Sequence, residues 1–172
     1  MIRHTTPDIE QGIIYGKRLE VPLSSNFPED ANKLKYIKNI LPCPVYCSPS
    51  TRCTYLADFL FKSKYTIDPR LSELDFGDWE GKKWDDIPKS VLDKWMKNYE
   101  EVAPPNGESL AQMRSRVVEF INEISDIKMD RVVLITHAGV IRIVLSLFSG
   151  KNMNELCHQK IEYGEVFVVQ QK

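Results

Sequence analysis

The feature that most constrains the fold is an unbroken apolar run, Val132-Val133-Leu134-Ile135, that stops at Thr136-His137-Ala138-Gly139 and is followed at once by Val140 to Leu147 at helical spacing. A strand with no polar side needs cover on both faces. A strand that feeds straight into a helix belongs to a crossover unit whose strands run parallel. The rest of the chain repeats the alternation. Short segments rich in β-formers lie at Ile2-Arg3, Val45-Tyr46-Cys47, Tyr65-Thr66-Ile67 and Val166-Phe167-Val168-Val169. Helical spacing marks Glu29 to Leu41, Thr51 to Phe61 and Leu110 to Ile124, where Leu110, Met113, Val117, Phe120, Ile121 and Ile124 share a face. The expected fold is α/β, a three-layer α/β/α sandwich around a mostly parallel central sheet. No repeat, low-complexity tract or flexible linker divides the sequence, so residues 1–172 are read as a single domain.

Charge and composition exclude several classes of partner. With 23 Lys and Arg against 24 Asp and Glu, the net charge is −1, which provides no broad cationic surface, so nucleic acid is not an expected partner. The apolar stretch Gly139 to Phe148 contains Arg142 and is too short to cross a bilayer, so no membrane partner is expected. Met1-Ile2-Arg3-His4 lacks the basic and apolar regions of a secretory signal, which makes the cytoplasm the expected compartment. Cys43, Cys47, Cys53 and Cys157 form no Cys-x-x-Cys pair and match no common zinc spacing. They are read as reduced thiols, with no metal and no cofactor expected.

Parallel sheets carry their ligands at the carboxyl ends of the strands. That places His137 and the amides of Ala138 and Gly139 where a helix start can meet an anion. Cys47-Ser48-Pro49 ends another strand, and Arg52 follows in the first turn of the next helix. A cation there opposes the helix dipole, and a bound anion would resolve the misfit. Arg3 and His4, adjacent in an extended segment, point apart unless the chain turns at Thr5-Thr6-Pro7. Taken singly, each has a plain structural reading. An Arg-His pair near a terminus is usually surface, and His137 is compatible with a satisfied buried imidazole. Trp84 and Trp95 read as packing residues, Tyr15-Gly16 as a turn, Cys47 and Cys53 as small core residues, and His158 as surface. Together, however, two Arg and two His at strand ends suit a phosphoryl group, whose oxygens need positive charge around them.

Five segments, in order, resemble the phosphoglycerate-mutase-like histidine phosphatases over nearly the whole chain. Arg3-His4-Thr5 is similar to that family's Arg-His-Gly, and Ser48-Pro49-Ser50-Thr51-Arg52 to its Ser-Pro-x-x-Arg. Leu71 to Gly81 resembles its acid-bearing loop, Gly107-Glu108-Ser109 the opening of its long helix, and Thr136 to Arg142 its second-histidine motif. The resemblance implies a metal-independent phosphomonoesterase in which His4 is phosphorylated while Arg3, Arg52 and His137 hold the phosphoryl oxygens. Glu73 would be the acid. Asp75, Asp78 and Glu80, if they face it, would favour its protonated form.

Within the family, Gly12-Ile13-Ile14-Tyr15-Gly16 through Glu20-Val21-Pro22-Leu23, Trp84 to Pro88, Trp95 and Pro104 to Ser109 look most like the α-ribazole phosphatase group. That likeness implies a small-molecule phosphomonoester, α-ribazole 5′-phosphate or adenosylcobalamin 5′-phosphate, handled in assembly of the cobalamin nucleotide loop. Tyr15, Glu20, Ala138 and Gly139 are then the substrate-binding candidates. The alternatives are a broad phosphatase or mutase on a sugar or glycerate phosphate, and a phosphate-binding module without turnover. Three departures stand out. Thr5 replaces the motif glycine and would be strained at positive φ. Glu10 would repel a substrate anion if it faced the site. Only Met1 and Ile2 precede Arg3, whereas the resemblance implies a full central strand there.

Overall fold

A computed structural model describes residues 1–127 and 130–170. Four strands, β1 (Ile2–Arg3), β2 (Val45–Cys47), β3 (Thr66–Ile67) and β4 (Val133–Thr136), form one sheet in the order β1-β4-β2-β3. Every pairing between them is parallel. The interior strand β4 is buried at all four positions, which is why its sequence shows no polar face. Its side chains still alternate. Val133 and Ile135 pack with Val45, Leu56 and Leu60 on one face, while Leu134 packs with Met113, Val117 and Phe120 on the other.

Helices cover both faces, as the α/β reading required. α1 (Phe27–Lys33) and α2 (Thr51–Phe61) supply the first layer. Two further short helices, α3 (Lys89–Lys97) and α6 (Met153–Cys157), were not marked by the strand–helix alternation. The second layer is built by α4 (Leu110–Ser125) and α5 (Ala138–Ser149). Local chemistry sets the ends: Ser109 and Gln112 exchange hydrogen bonds in a capping box at the start of α4, and Gly150 closes α5 at φ 72°. No helix among the described residues is long and apolar enough to cross a membrane.

Two expectations need correction. Glu29 to Leu41 is not one helix: α1 stops at Leu34 and the chain tightens into a 3₁₀ helix, Lys35–Ile40, which keeps both Leu34 and Ile37 in the core. Val166 to Val169 does not form a full strand either. Val166 alone bridges Ile2, antiparallel, and Val168 is 85% exposed. The segment pairs only as far as the two-residue β1 reaches, through Arg3 N–H to Glu165 O and Phe167 N–H to Met1 O. The short first strand is therefore an edge strand with its outer side partly covered, and the sheet keeps its middle in β4.

Candidate active site

The carboxyl ends of β1, β2 and β4 deliver His4, Ser48 and His137 to one rim. His4 is 2% exposed, and its amide donates to Thr136 O at 3.0 Å, tying the residue to the end of β4. Its Nδ1 lies 2.8 Å from the Thr5 carbonyl. A carbonyl only accepts, so Nδ1 carries the hydrogen and Nε2 keeps its lone pair; the tautomer is assigned from this partner. Thr5 is fully buried and is not among the positive-φ residues, so the strain expected of a β-branched residue there does not arise. Its carbonyl is the group that orients His4.

His137, fully buried at the N-cap of α5, is fixed from two sides. Arg52 Nη2 approaches its Nδ1 at 3.3 Å, and Ser48 Oγ sits 2.7 Å from its Nε2. A guanidinium can only donate, so Nδ1 accepts and Nε2–H points to Ser48. The two imidazoles meet edge to face, 5.2 Å between centroids. Burial is the main reason that both titrate well below 6.5; Arg52 and Arg3 add to it for His4, and His4 and Arg52 for His137, while the Thr5 carbonyl opposes the shift in His4.

The sign of the resulting pH effect follows from linkage. Unfolded histidines bind protons near pH 6.5 and these two stay neutral in the fold, so the unfolded chain takes up more protons below that pH. Stability should therefore fall as pH drops from about 6.5 towards the depressed native values, by up to about 1.4 kcal/mol per pH unit for each histidine, and these two should add no slope above it. Urea midpoints of the wild type and of a His4→Gln, His137→Gln double variant between pH 7 and 5 check this; parallel curves would refute it.

Arg52 is completely buried, yet among the described residues its guanidinium meets no carboxylate. Nη2 donates to Gly16 O at 2.7 Å and Nη1 to Leu19 O at 3.4 Å. Glu80 shapes the loop that offers those carbonyls, accepting from the amides of Gly16, Leu19 and Phe76 at 3.1, 2.6 and 3.2 Å. Gly16 is required for this fit, because a Cβ there would stand 2.1 Å from Leu74 O. Arg3 donates to Ile161 O at 2.5 Å and lies under the Tyr163 ring at 3.8 Å. The segment has no turn at Thr5-Thr6, contrary to expectation; the long Arg3 side chain instead reaches the cavity that His4 faces. Among the described residues neither arginine forms an ion pair, and the Nε of each is buried without a partner. Arg52 is fully buried and Arg3 partly so, and a desolvated cation left uncompensated is costly unless an anion completes it.

Glu20 is placed differently from the expectation. Its exposed carboxylate accepts from Thr51 N–H at 3.0 Å and from Thr51 Oγ1, at the start of α2. It offsets the dipole misfit of Arg52 and does not line the cavity. Ala138 also lies off the cavity, packed with Ile141 and Ile161. Glu10, the suspected repulsive charge, is paired with Lys83 at 2.5 Å.

Glu73 does reach the histidine rim. Its Oε2 accepts from Gly139 N–H at 3.2 Å and its Oε1 from Leu74 N–H at 3.1 Å, so the Gly139 amide is already engaged. Arg116 holds the Glu73 loop from α4, donating to Ser72 O at 2.8 Å and Glu73 O at 3.0 Å while paired with Glu108 at 2.5 Å. Asp75, Asp78 and Glu80 are occupied with Arg18, Asn106 and backbone amides, so the spacing that suggested carboxylate crowding is spent on loop construction. A Cβ on Gly139 would fall 2.2 Å from Glu73 Oε1. Gly139→Ala should push that carboxylate aside and lower kcat by about tenfold or more, with a Tm change of only a few degrees, since the displaced group is a side-chain end. Unchanged kcat would separate Glu73 from the chemistry.

A cavity of about 490 Å³ begins at Arg3, His4, Glu73 and Gly139 and runs past Tyr15 to Phe76, Trp84, Trp95 and Tyr99. Trp84 and Trp95, read from sequence as packing residues, do both jobs: they stack at 6.0 Å and 29°, lean on Phe76 and Trp79, and line the cavity. Arg142 faces the same space, with Nε and Nη2 tied to Leu156 O and Gln159 O. A second, larger cavity of about 810 Å³ lies away from both histidines among Ile2, Ile37, Ile121 and Val166. Sequence reasoning did not single out Tyr163 or Arg116, and it named Glu80 only as a possible neighbour of Glu73, not as the acceptor that shapes the Gly16 loop.

The chain is similar to known proteins in sequence and fold. The model of the histidine phosphatase superfamily (branch 1) matches residues 1–172. The adenosylcobalamin/α-ribazole phosphatase of Escherichia coli is 23% identical over 95% of this chain and 85% of its own length. Among solved structures, the α-ribazole phosphatase of Shigella flexneri superposes with a TM-score of 0.83 at 23% identity, over 95% of this chain and 85% of that one. A mycobacterial glucosyl-3-phosphoglycerate phosphatase gives 0.76 at 23% identity, over 95% and 84%. At such identities the structural likeness establishes a phosphoglycerate-mutase-like α/β fold, and the family match over the whole sequence adds the rest: the chain belongs to branch 1 of the histidine phosphatase superfamily.

Proposed function

We propose that this phosphatase hydrolyses phosphomonoesters through a phosphohistidine on His4. The observation that carries the reading is the pair of guanidiniums, Arg52 fully buried and Arg3 partly so, each with a buried Nε and no carboxylate partner among the described residues, beside an imidazole whose Nε2 lone pair is free. A phosphoryl dianion supplies the missing charge. Nε2 attacks phosphorus, the P–O bond to the leaving group breaks, and a protonated Glu73 gives its proton to the departing oxygen. Glu73, now a carboxylate, takes a proton from water, whose oxygen attacks phosphorus; the P–N bond breaks and His4 is restored. Arg3 and Arg52 hold the equatorial oxygens throughout. His137, freed from Arg52 when the anion arrives, can bind a proton at Nδ1 and donate it as a hydrogen bond.

For the leaving group we infer a nucleoside with a flat heteroaromatic base, α-ribazole 5′-phosphate. Support comes from the aromatic far end of the cavity and from the name of the Escherichia coli relative. A space of about 490 Å³ suits a small ligand of this kind, whereas adenosylcobalamin 5′-phosphate would have to project from the mouth. Side-by-side kcat/KM values for α-ribazole 5′-phosphate, sugar phosphates, 3-phosphoglycerate and p-nitrophenyl phosphate test both levels. A preference of at least tenfold for the ribazole ester is expected. Equal values would make this a broad phosphatase, transfer to a second substrate hydroxyl a mutase, and binding without turnover of any ester a phosphate-binding module.

A further inference from the structure

The two arginines share a cover. The Tyr15 ring lies 5.3 Å from the Arg52 guanidinium, the Tyr163 ring lies 3.8 Å from that of Arg3, and the two phenol oxygens are 2.6 Å apart. Tyr163 also packs on His4, with ring centroids 5.5 Å apart. Segments 148 residues apart in sequence thus meet above the point where both cations and the nucleophile converge.

Two hydroxyls in one hydrogen bond hold two hydrogens, of which one is shared and one is spare. Which oxygen keeps the spare hydrogen follows from the surroundings. Tyr163 is 36% exposed and can trade hydrogen bonds with water, while Tyr15 lines the cavity. If Tyr15 donated to Tyr163, it would present only lone pairs to an incoming anion and repel it. The opposite direction places a donor in the cavity. Burial, reinforced by the Tyr163 contact, raises the Tyr15 hydroxyl above its ordinary range, so it keeps its proton and serves as a donor, not as an acid.

We infer that Tyr163 and Tyr15 form a hydroxyl relay over the site: Tyr163 donates to Tyr15, and Tyr15 donates to an oxygen of the bound phosphoryl group. Tyr15 contacts the ligand, and Tyr163 is a positioning residue that turns and polarises the Tyr15 hydroxyl. The inference rests on the phosphatase reading above, with His4, Arg3 and Arg52 around phosphorus. It adds a neutral donor to two cations, and it uses the aromatic faces to hold those cations while the site is empty.

Phenylalanine variants separate the relay from simple packing, because they keep both rings and remove only the hydroxyls. The measurements are the calorimetric Kd for inorganic phosphate, and kcat and KM for p-nitrophenyl phosphate, on wild type, Tyr15→Phe, Tyr163→Phe and the double variant. Tyr15→Phe should weaken phosphate binding about tenfold. Tyr163→Phe should weaken it about threefold alone and not at all in the Tyr15→Phe background, since the relay then has no end. Phosphate affinities within twofold of wild type in both single variants, or strictly additive losses, would overturn the relay. If those results appear while His4→Ala still abolishes turnover, the relay fails and the phosphatase reading stands. If the wild type neither binds phosphate nor turns over the ester, both fall together.

Discussion

His4→Ala is expected to lower turnover of any phosphomonoester by at least about four orders of magnitude, the scale seen when a covalent nucleophile is removed. Rapid acid-free quenching of the wild type with a ³²P-labelled ester should trap label on His4. The structure gives the reason for the size of the effect. Thr5 O fixes the hydrogen on Nδ1, and the ring is held by Thr136 O through the His4 amide, so the attacking nitrogen is aimed before substrate arrives. His137 cannot substitute, because Ser48 holds its Nε2 and its Nδ1, once Arg52 turns to the anion, takes up a proton and has no lone pair with which to attack. Label on His137, or a His4→Ala variant with more than a hundredth of wild-type activity, would remove His4 from the nucleophile's role.

Arg52 should be the next most sensitive position, and it couples activity to stability. Removing it takes away charge-assisted donors at a fully buried site, and a fall in kcat/KM of about 10²–10³ is expected for Arg52→Ala. Because the cation lacks a carboxylate in the empty protein, phosphate should stabilise the wild type strongly: at a hundred times its Kd, by about 2.7 kcal/mol. For a chain of this size that is a rise in Tm of roughly 5–10 °C. The rise should vanish in Arg52→Ala. A variant that keeps the phosphate-induced shift would mean that Arg3 alone compensates the anion, and a Tm of the wild type unmoved by phosphate would contradict the site itself.

The elements legible in the sequence are those whose patterning reflects burial. β4 and α4 stood out because every side chain of the one, and a whole face of the other, enters the core. α3 and α6 were missed for the opposite reason: no residue of α3 is fully buried, and α6 buries only Leu156. Both carried readable signals nonetheless. Pro88 precedes α3, and Asn152 with Glu155 forms the capping box that opens α6. The site divided along similar lines. His4, Arg52 and His137 were legible through strand-end motifs, and Glu73 through its loop. Glu20 was misplaced because it fills the acidic position of the segment that resembles the α-ribazole phosphatases, while its actual partner, the start of α2, lies 31 residues on. Tyr163, Glu80 and Arg116 act through backbone carbonyls, amides and aromatic faces, contacts that leave no spacing rule in the sequence.

The edge strand that carries His4 has a consequence for how the molecule matures. Ile161 O and Tyr163 hold the Arg3 side chain, Gly164 N–H bonds the carbonyls of both Arg3 and His4, and Glu165 O receives the Arg3 amide. The proposed nucleophile is therefore anchored only once segments 158 residues apart in sequence have met. Competence for turnover should arrive with one of the longest-range closures in the fold, however early its sheet begins to assemble.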